Sequence, residues 1–415
     1  MSDRNFLERL LDGAVVEWKT LGELTLPTGN IKWREVSRTY RYIDLTSVSI
    51  ETKKVINTRE ISSINAPSRA QKLVKKNDVI FATTRPTQQR YCLINDEYSD
   101  EVVSTGYCIL RVQKDKILSK WLLYFIASTD FRVYVEENQS GSAYPAISDA
   151  KIKEYKIPIP CPDNPDRSLA IQAEIVRILD TFTELTAELT AELTARKKQY
   201  HYYRDRLLTF EDGEVEWKPL KEVTTLITKG TTPKVFTDSG INFVKIESFD
   251  NGRIDPTKFM FVSNEAHSKE LKRSILESND ILFAIAGATI GKCAVVEQII
   301  LPANTNQALA IIRLGEGINV KFVFYCLQTT AMKEYIAKYN KASAQPNLNL
   351  QQISDFRIPF PPLTEQTRIV SILDKFDALT NSISAGLPRE IELRQQQYEY
   401  YRDLLLSFPP PLTPP

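Results

Sequence analysis

The chain states one pattern twice. Val16-Glu17-Trp18-Lys19-Thr20-Leu21 returns as Val215-Glu216-Trp217-Lys218-Pro219-Leu220, and the fifteen residues Arg196–Phe210 return as Arg394–Phe408 with ten identities. Between these anchors, Asn77–Ala82 matches Asn279–Ala284, Pro145 matches Pro346, Ile152–Pro160 matches Ile353–Pro361, and Ile171–Asp180 matches Glu365–Asp374. A period of about 200 residues is too long for a solenoid unit and has the length of a domain with an accessory element. The stretches 25–70 and 224–275 hardly agree. Two scaffolds kept alike around two diverged inserts suit a protein that binds two different things in the same way.

Composition narrows the class. At 42% hydrophobic and 25% charged residues, the chain has what two globular cores require. No apolar run approaches a membrane span and the N-terminus is too polar for a signal peptide, so a cytoplasmic protein without membrane contact is expected. The five cysteines form no CxxC pair and read as reduced core residues. With two histidines there is no zinc constellation. Net charge is +1, yet residues 31–90 hold 13 Lys/Arg against 5 Asp/Glu, a net +8. That stretch has the charge that phosphate contact needs. Residues 218–300 hold 11 basic and 10 acidic residues and say nothing either way.

Each unit opens on a Trp-containing strand, continues in short β-rich runs such as Asp78–Thr83 and Ile281–Ala286, and carries one helix, near 119–128 and near 320–336. Each closes in an extended IPIP or IPFPP segment, where proline ends a strand. Residues 167–209 then lack Gly and Pro and carry an apolar stripe from Ile171 to Leu207 at three- and four-residue steps. About 43 residues at 1.5 Å each span roughly 64 Å, more than a globular domain needs. The second copy begins at Glu365 and should break at Ala385-Gly386-Leu387-Pro388. Two such stripes pack most economically as an antiparallel pair. The expected fold is therefore α/β (α+β): two similar domains separated by a long antiparallel helical pair with pseudo-two-fold symmetry. The expected boundaries are 1–160, a spacer at 161–210, 211–362, helices at 363–408 and a Pro-rich tail at 409–415. The Phe6-Leu7/Leu10-Leu11 pattern should pack beside the final helix and close the arrangement into a ring-like order.

No catalytic motif is present in the sequence. A GxxxxGK[ST] phosphate loop is missing, Gly287–Lys292 has the wrong spacing for one, and Asn304–Gln307 is not the Asn/Asp-Pro-Pro-aromatic tetrapeptide of amino methylation. The residues point to binding. Polar turns after strands are the expected base-reading surfaces: Thr84, Arg85, Thr87, Gln88, Gln89, Arg90, Ser142 and Tyr144 in the first unit, and Lys229, Thr231, Thr232, Lys234, Thr289 and Lys292 in the second. Arg suits guanine, Gln suits adenine, and Thr offers a methyl to thymine. Ordinary polar turns would look the same. On the helices, Tyr200, Tyr202, Tyr203, Tyr398, Tyr400 and Tyr401 are candidates both for packing and for docking a partner protein. Thr186-Ala-Glu-Leu189 and Thr190-Ala-Glu-Leu193 form a tetrapeptide repeat that reads as a spacer.

Two such units, each closed by an IPxP segment and a helix beginning EIVRILD or EQTRIVSILD, resemble the specificity subunit of a type I restriction–modification enzyme. The TAEL repeats and the QYxYYRD helix ends resemble its IC subgroup, over about residues 13–408. The resemblance implies a non-catalytic subunit that binds double-stranded DNA through two target recognition domains. It implies docking of two methyltransferase subunits carrying S-adenosylmethionine, and of restriction subunits that use ATP and Mg²⁺, with no cofactor held by this chain. The competing readings are a self-sufficient DNA-modifying or DNA-cleaving enzyme and a protein-only scaffold.

Overall fold

A computed structural model describes residues 4–211, 213–250, 252–339, 347–382 and 385–409. Pro346 and the tail beyond Pro409 lie outside the described residues. The chain divides into two compact units, Met1–Glu188 with Glu392–Pro415, and Leu189–Ile391. Each takes part of the long helix Pro165–Leu207, and each also takes part of the last helix, Gly386–Leu405.

In the first unit the Trp18 strand, Val16–Thr20, runs antiparallel to the IPIP strand, Lys156–Pro160, with Trp18 opposite Pro158. The two ends of the domain are thus sewn together, and proline is tolerated because this ribbon has only two strands. Inside lie two four-stranded sheets. One has the order Thr25–Leu26, Tyr107–Val112, Val79–Ala82, Tyr91–Leu93; the other has Arg59–Ile61, Tyr40–Ile43, Val102–Ser104, Ala70–Leu73. Every residue of Val79–Ala82 is buried, as its unbroken apolar run requires. Leu7 and Leu11 of the N-terminal helix, Arg4–Leu11, share a core with Leu405, Leu406 and Phe408, and Trp18 donates its indole N–H to the Pro409 carbonyl at 2.8 Å. The expected contact between the chain's beginning and its final helix is present.

The second unit repeats the plan. Glu216–Pro219 pairs with Arg357–Phe360, Trp217 opposite Pro359. Its four-stranded sheet runs Thr224–Lys229, Leu309–Leu314, Ile281–Ala284, Cys293–Val295, and beside it stands a three-stranded sheet. The fixing interactions repeat too. Arg111 grips the buried Asp78 at 2.7 Å, and Arg313 grips the buried Asp280 at 2.8 Å. Tyr124 donates to Asp180 at 2.7 Å, and Tyr325 donates to Asp374 at 2.6 Å. A buried carboxylate without such a partner would cost several kcal/mol, so the two Arg–Asp pairs must be kept whole.

The single helix expected near 119–128 is two, Ser119–Ile126 and Thr129–Asn138; that near 320–336 is also two, Val320–Cys326 and Thr330–Tyr339. Ser128 donates its hydroxyl to the Phe125 carbonyl and accepts from the Phe131 N–H, so it ends one helix and caps the next. Thr329 does the same between Cys326 and Met332. A break is present but falls just before the expected residues 386–388: helix Leu363–Asn381 stops, and Gly386, Leu387 and Pro388 form the first turn of a new helix, where proline is tolerated. Gly386 has φ +78°, and a Cβ there would sit 2.5 Å from the Ala378 carbonyl oxygen, so only glycine fits. Along the long helix, Ile171, Ile175, Leu179 and Tyr200 are buried, whereas no residue from Thr181 to Gln199 is.

Candidate nucleic-acid interface

The turn expected to read bases in the first unit is strained and held by backbone hydrogen bonds. Leaving the buried strand Val79–Ala82, Thr83 donates to the Gly106 carbonyl at 2.8 Å and Thr84 bridges to Ala146. Arg85 and Gln89 both have φ +50° and bracket the 3₁₀ turn Pro86–Gln88. Left-handed backbone costs a non-glycine residue about 1–2 kcal/mol, and such strain concentrates at functional sites. The Arg85 N–H donates to the Pro145 carbonyl at 2.7 Å. That bond brings the second expected segment, Ser142 and Tyr144, against the first. The Arg85 guanidinium lies 5.5 Å from the centre of the Tyr144 ring, which is 72% exposed. Arg85, Gln88, Ser142 and Tyr144 therefore form an exposed polar and aromatic surface, with Thr84 and Thr87 half-buried at its edge.

Arg90 and Gln89 do other work. The Arg90 guanidinium donates to the Val48 carbonyl, and the Gln89 carbonyl accepts from Lys53 Nζ at 2.5 Å. Both fasten the loop around residues 47–56 to the turn. Lys53 lies 4.5 Å from the centre of the Tyr91 ring, and burial, with Arg90 beside it, brings its ammonium down to about 8. Sequence reasoning missed Lys53; its only signal was membership of the basic stretch. The exposed Arg69 is tied to this region through backbone: its carbonyl accepts from Thr105, and the neighbouring Gly106 carbonyl accepts from Thr83.

The second unit places its turn at the matching point. After the buried strand Ile281–Ala284, Ala286 bridges to Asn347, Gly287 and Gly291 take φ +77° and +90°, and the chain returns at an exposed Lys292 with Thr289 half-buried. The other expected segment is joined to it through Thr305–Leu309: Thr231 donates to the Thr305 carbonyl, and Ile285 donates to the Ala308 carbonyl, each at 2.9 Å. Gly230 makes the approach possible, since a Cβ there would lie 2.2 Å from two carbonyl oxygens. Lys229, Thr232 and Lys234 are exposed, and the Thr232 hydroxyl donates to Gln307. Asn304 lies fully buried in a strand, where it meets His267 and the Leu271 carbonyl. Its role is to hold the fold.

The helix tyrosines sort identically in the two units. Tyr200 and Tyr398 are buried. Tyr203 stacks on Phe376 at 5.7 Å, and Tyr401 stacks on Phe182 at 5.5 Å. Tyr202 and Tyr400 are each 58% exposed. In the spacer, Thr186, Leu189 and Leu193 are half-buried and Thr190 is exposed, within one unbroken helix. Among the described residues no group of three or more His, Cys, Asp or Glu side chains is placed to hold a metal ion, and no helix is long and apolar enough to cross a membrane.

Comparison with known proteins agrees over the whole chain. The family described as Type I restriction modification DNA specificity domain matches residues 24–196 and again 213–393. The specificity subunit of the type I restriction enzyme EcoR124I/EcoR124II of Escherichia coli is 37% identical, covering 100% of this chain and 99% of the relative. The EcoprrI specificity subunit of Escherichia coli is 30% identical, covering 92% and 93%. A solved chain from a type I R-M system superposes with a TM-score of 0.67 at 22% identity, covering 94% of this chain and 97% of that one.

Proposed function

The chain belongs to the type I restriction–modification DNA specificity family, and from that premise we propose that it reads a bipartite duplex target, one half-site per unit. The observation that carries this is the pair of turns Thr84–Arg90 and Ala286–Lys292. They leave equivalent buried strands, are held by equivalent bridges, and differ in nearly every side chain. The first unit offers Arg85, Gln88, Ser142 and Tyr144 to base edges, and the second offers Lys229, Thr232, Lys234, Thr289 and Lys292. The reading domains are residues 1–160 and 211–362, and the helices between and after them set their spacing.

The chain supplies recognition and its partners supply chemistry. Two methyltransferase subunits with S-adenosylmethionine dock on the exposed helix tyrosines, and restriction subunits using ATP and Mg²⁺ complete a cytoplasmic complex. Purified chain incubated with DNA, Mg²⁺ and S-adenosylmethionine should show salt-dependent duplex binding and no turnover. Turnover without added subunits would make it an enzyme instead. Sequencing of methylated adenines in cells carrying the full set of subunits should return two short motifs separated by a fixed gap.

A further inference from the structure

In the second unit a cleft of about 450 Å³ opens among the end of the long helix, the Gly287–Lys292 turn and the helix Thr330–Tyr339. Lys197, His201, Arg204, Lys292 and Lys333 line it, and Asp377 is the one carboxylate among the described lining residues. Arg204 is buried and fixed by Asp205 at 2.8 Å. The three lysines make no ion pair among the described residues. Asp377 is engaged by the Asn381 amide at 2.9 Å. Burial, then Arg204, Lys333 and Lys197, hold the His201 imidazole below its ordinary value. Cations crowded this closely, with little to compensate them, favour an anion.

Part of this charge belongs to the common scaffold, since Arg204, Lys292 and Lys333 answer to Arg402, Arg90 and Arg132 of the first unit; Lys197 and His201 are the addition peculiar to the second unit. Within the fifteen matched residues the pairs that differ are Lys197/Gln395, Lys198/Gln396, His201/Glu399, Arg206/Leu404 and Thr209/Ser407. Four of these five replace a basic side chain by a neutral or acidic one, and two of the four line the cleft. The first unit already has a net +8 in residues 31–90, while the matching part of the second is nearly neutral. The cleft places cations where the second unit otherwise lacks them, directly beside Lys292 of its reading turn.

We propose that this cleft takes a backbone phosphate of the bound duplex, next to the bases that the second unit reads and without regard to their identity. A protein that reads base edges from this turn has a phosphodiester within reach of its flank, and phosphate contacts position the reader without specifying sequence. The proposal rests on the DNA-reading function above. The test uses the full chain and a duplex carrying its mapped target, with binding measured over a range of salt concentrations. In Lys197→Gln/His201→Glu, which carries the side chains of the other copy, the log–log salt slope should be shallower by about 1–2, at about 0.9 per phosphate contact. Affinity at low salt should fall about equally on target and non-target duplex, and the methylated sequence should be unchanged. Lys333→Gln, at an exposed helix position, should by itself reduce the slope by about 1, which guards against a folding defect in the double variant. His201 should show a raised titration point when duplex is added.

Slopes equal to wild type in both variants would overturn the proposal. So would a loss confined to the target duplex, which would make the cleft a base reader. An unchanged slope with weakened methyltransferase binding would assign the cleft to an acidic protein surface, again overturning it. Inorganic phosphate that moves His201 when duplex does not would assign a free anion, with the same consequence. A wild-type chain with no target preference at all would instead remove the reading function, and the proposal with it.

Discussion

Thr330 donates its hydroxyl to Asp205 at 2.5 Å, across 125 positions of sequence. Arg204 holds the same carboxylate, and in the first unit Thr129 donates to Asp403 at 2.7 Å beside Arg402. Each pair ties a helix end to the capped helix of its own recognition domain. Burial by itself would raise Asp205, but Thr330 and Arg204 outweigh it and hold the carboxylate below its ordinary value. A depressed acid contributes stability above its unfolded pKa of about 3.9 and loses it as pH falls through the folded value. Asp205→Asn should therefore lower the stability of the second unit by about 1 kcal/mol at neutral pH. The gap between variant and wild type should close on acidification below about pH 4. Urea unfolding at both pH values checks this, and a gap that widens in acid would contradict the assignment.

Arg85 over Tyr144 gives a prediction for base reading. Arg85→Ala should weaken binding to the first half-site by about 1–3 kcal/mol and relax its sequence there, leaving the second half-site as it was. Tyr144→Ala should have a smaller effect in the same direction, since it removes the ring against which the guanidinium lies. Arg90→Ala should instead loosen the 47–56 loop, because its guanidinium donates to the Val48 carbonyl. Methylation-site sequencing separates the two, and unchanged affinity and preference in Arg85→Ala would remove it from the reading surface.

The tyrosine triplets allow packing and docking to be tested separately. Tyr203→Ala and Tyr401→Ala lose a ring stack and should each cost about 1 kcal/mol or more of stability. Tyr202→Ala and Tyr400→Ala, at exposed positions, should fold normally and bind methyltransferase at least tenfold more weakly if they are interface anchors, about 1.4 kcal/mol or more. Calorimetric titration with purified methyltransferase decides it; wild-type affinity in both would move the docking surface elsewhere.

What was legible in the sequence was local or duplicated. The repeat exposed both units, the Trp strands, the IPxP closures and the helix break at Gly386, because proline, glycine and apolar period act within a few residues. The split at Ser128 and Thr329 was not legible, since a hydroxyl inside an apolar helical pattern reads as surface until the chain turns and makes it a cap. Among the turn residues, nothing in the sequence distinguished Arg85, which faces solvent, from Arg90, which grips Val48: the difference lies in a loop about 40 residues away. The cleft cations Lys197, Lys292 and Lys333 come from three distant segments, so no window of sequence contains them together.

Modularity follows from the repeat at Trp18 and Trp217. Residues 14–152 begin just before the first ribbon strand and end before its partner, Lys156–Pro160. Exchanging them for the equivalent segment of a relative should change one half-site only and leave the second as it was. A chimera that lost both preferences in methylation mapping would contradict independent reading units.

The TAEL repeats carry the last prediction. Thr186–Leu193 lie in one helix that runs unbroken from Pro165 to Leu207, and none of their side chains is buried. An inserted tetrapeptide therefore meets no core that would reject it. Four residues lengthen an α-helix by about 6 Å. They rotate everything beyond by four steps of about 100°, a net of roughly 40°. One base pair advances a duplex by about 3.4 Å. At about 10–10.5 pairs per turn it also rotates it by roughly 35°. The rotations nearly agree, and a helix inclined to the duplex axis advances along it by less than its own added length. Inserting one Thr-Ala-Glu-Leu after Leu193 should thus widen the unread gap by one base pair with both half-sites unchanged, and deleting Thr190–Leu193 should narrow it by one. Insertions of two or three residues would turn the second unit by roughly 200° or 300° and should abolish coupled recognition. Methylome sequencing of cells carrying each variant reads the gap directly. An unchanged gap after the four-residue insertion would mean that the repeat is a passive bulge and that another element sets the distance.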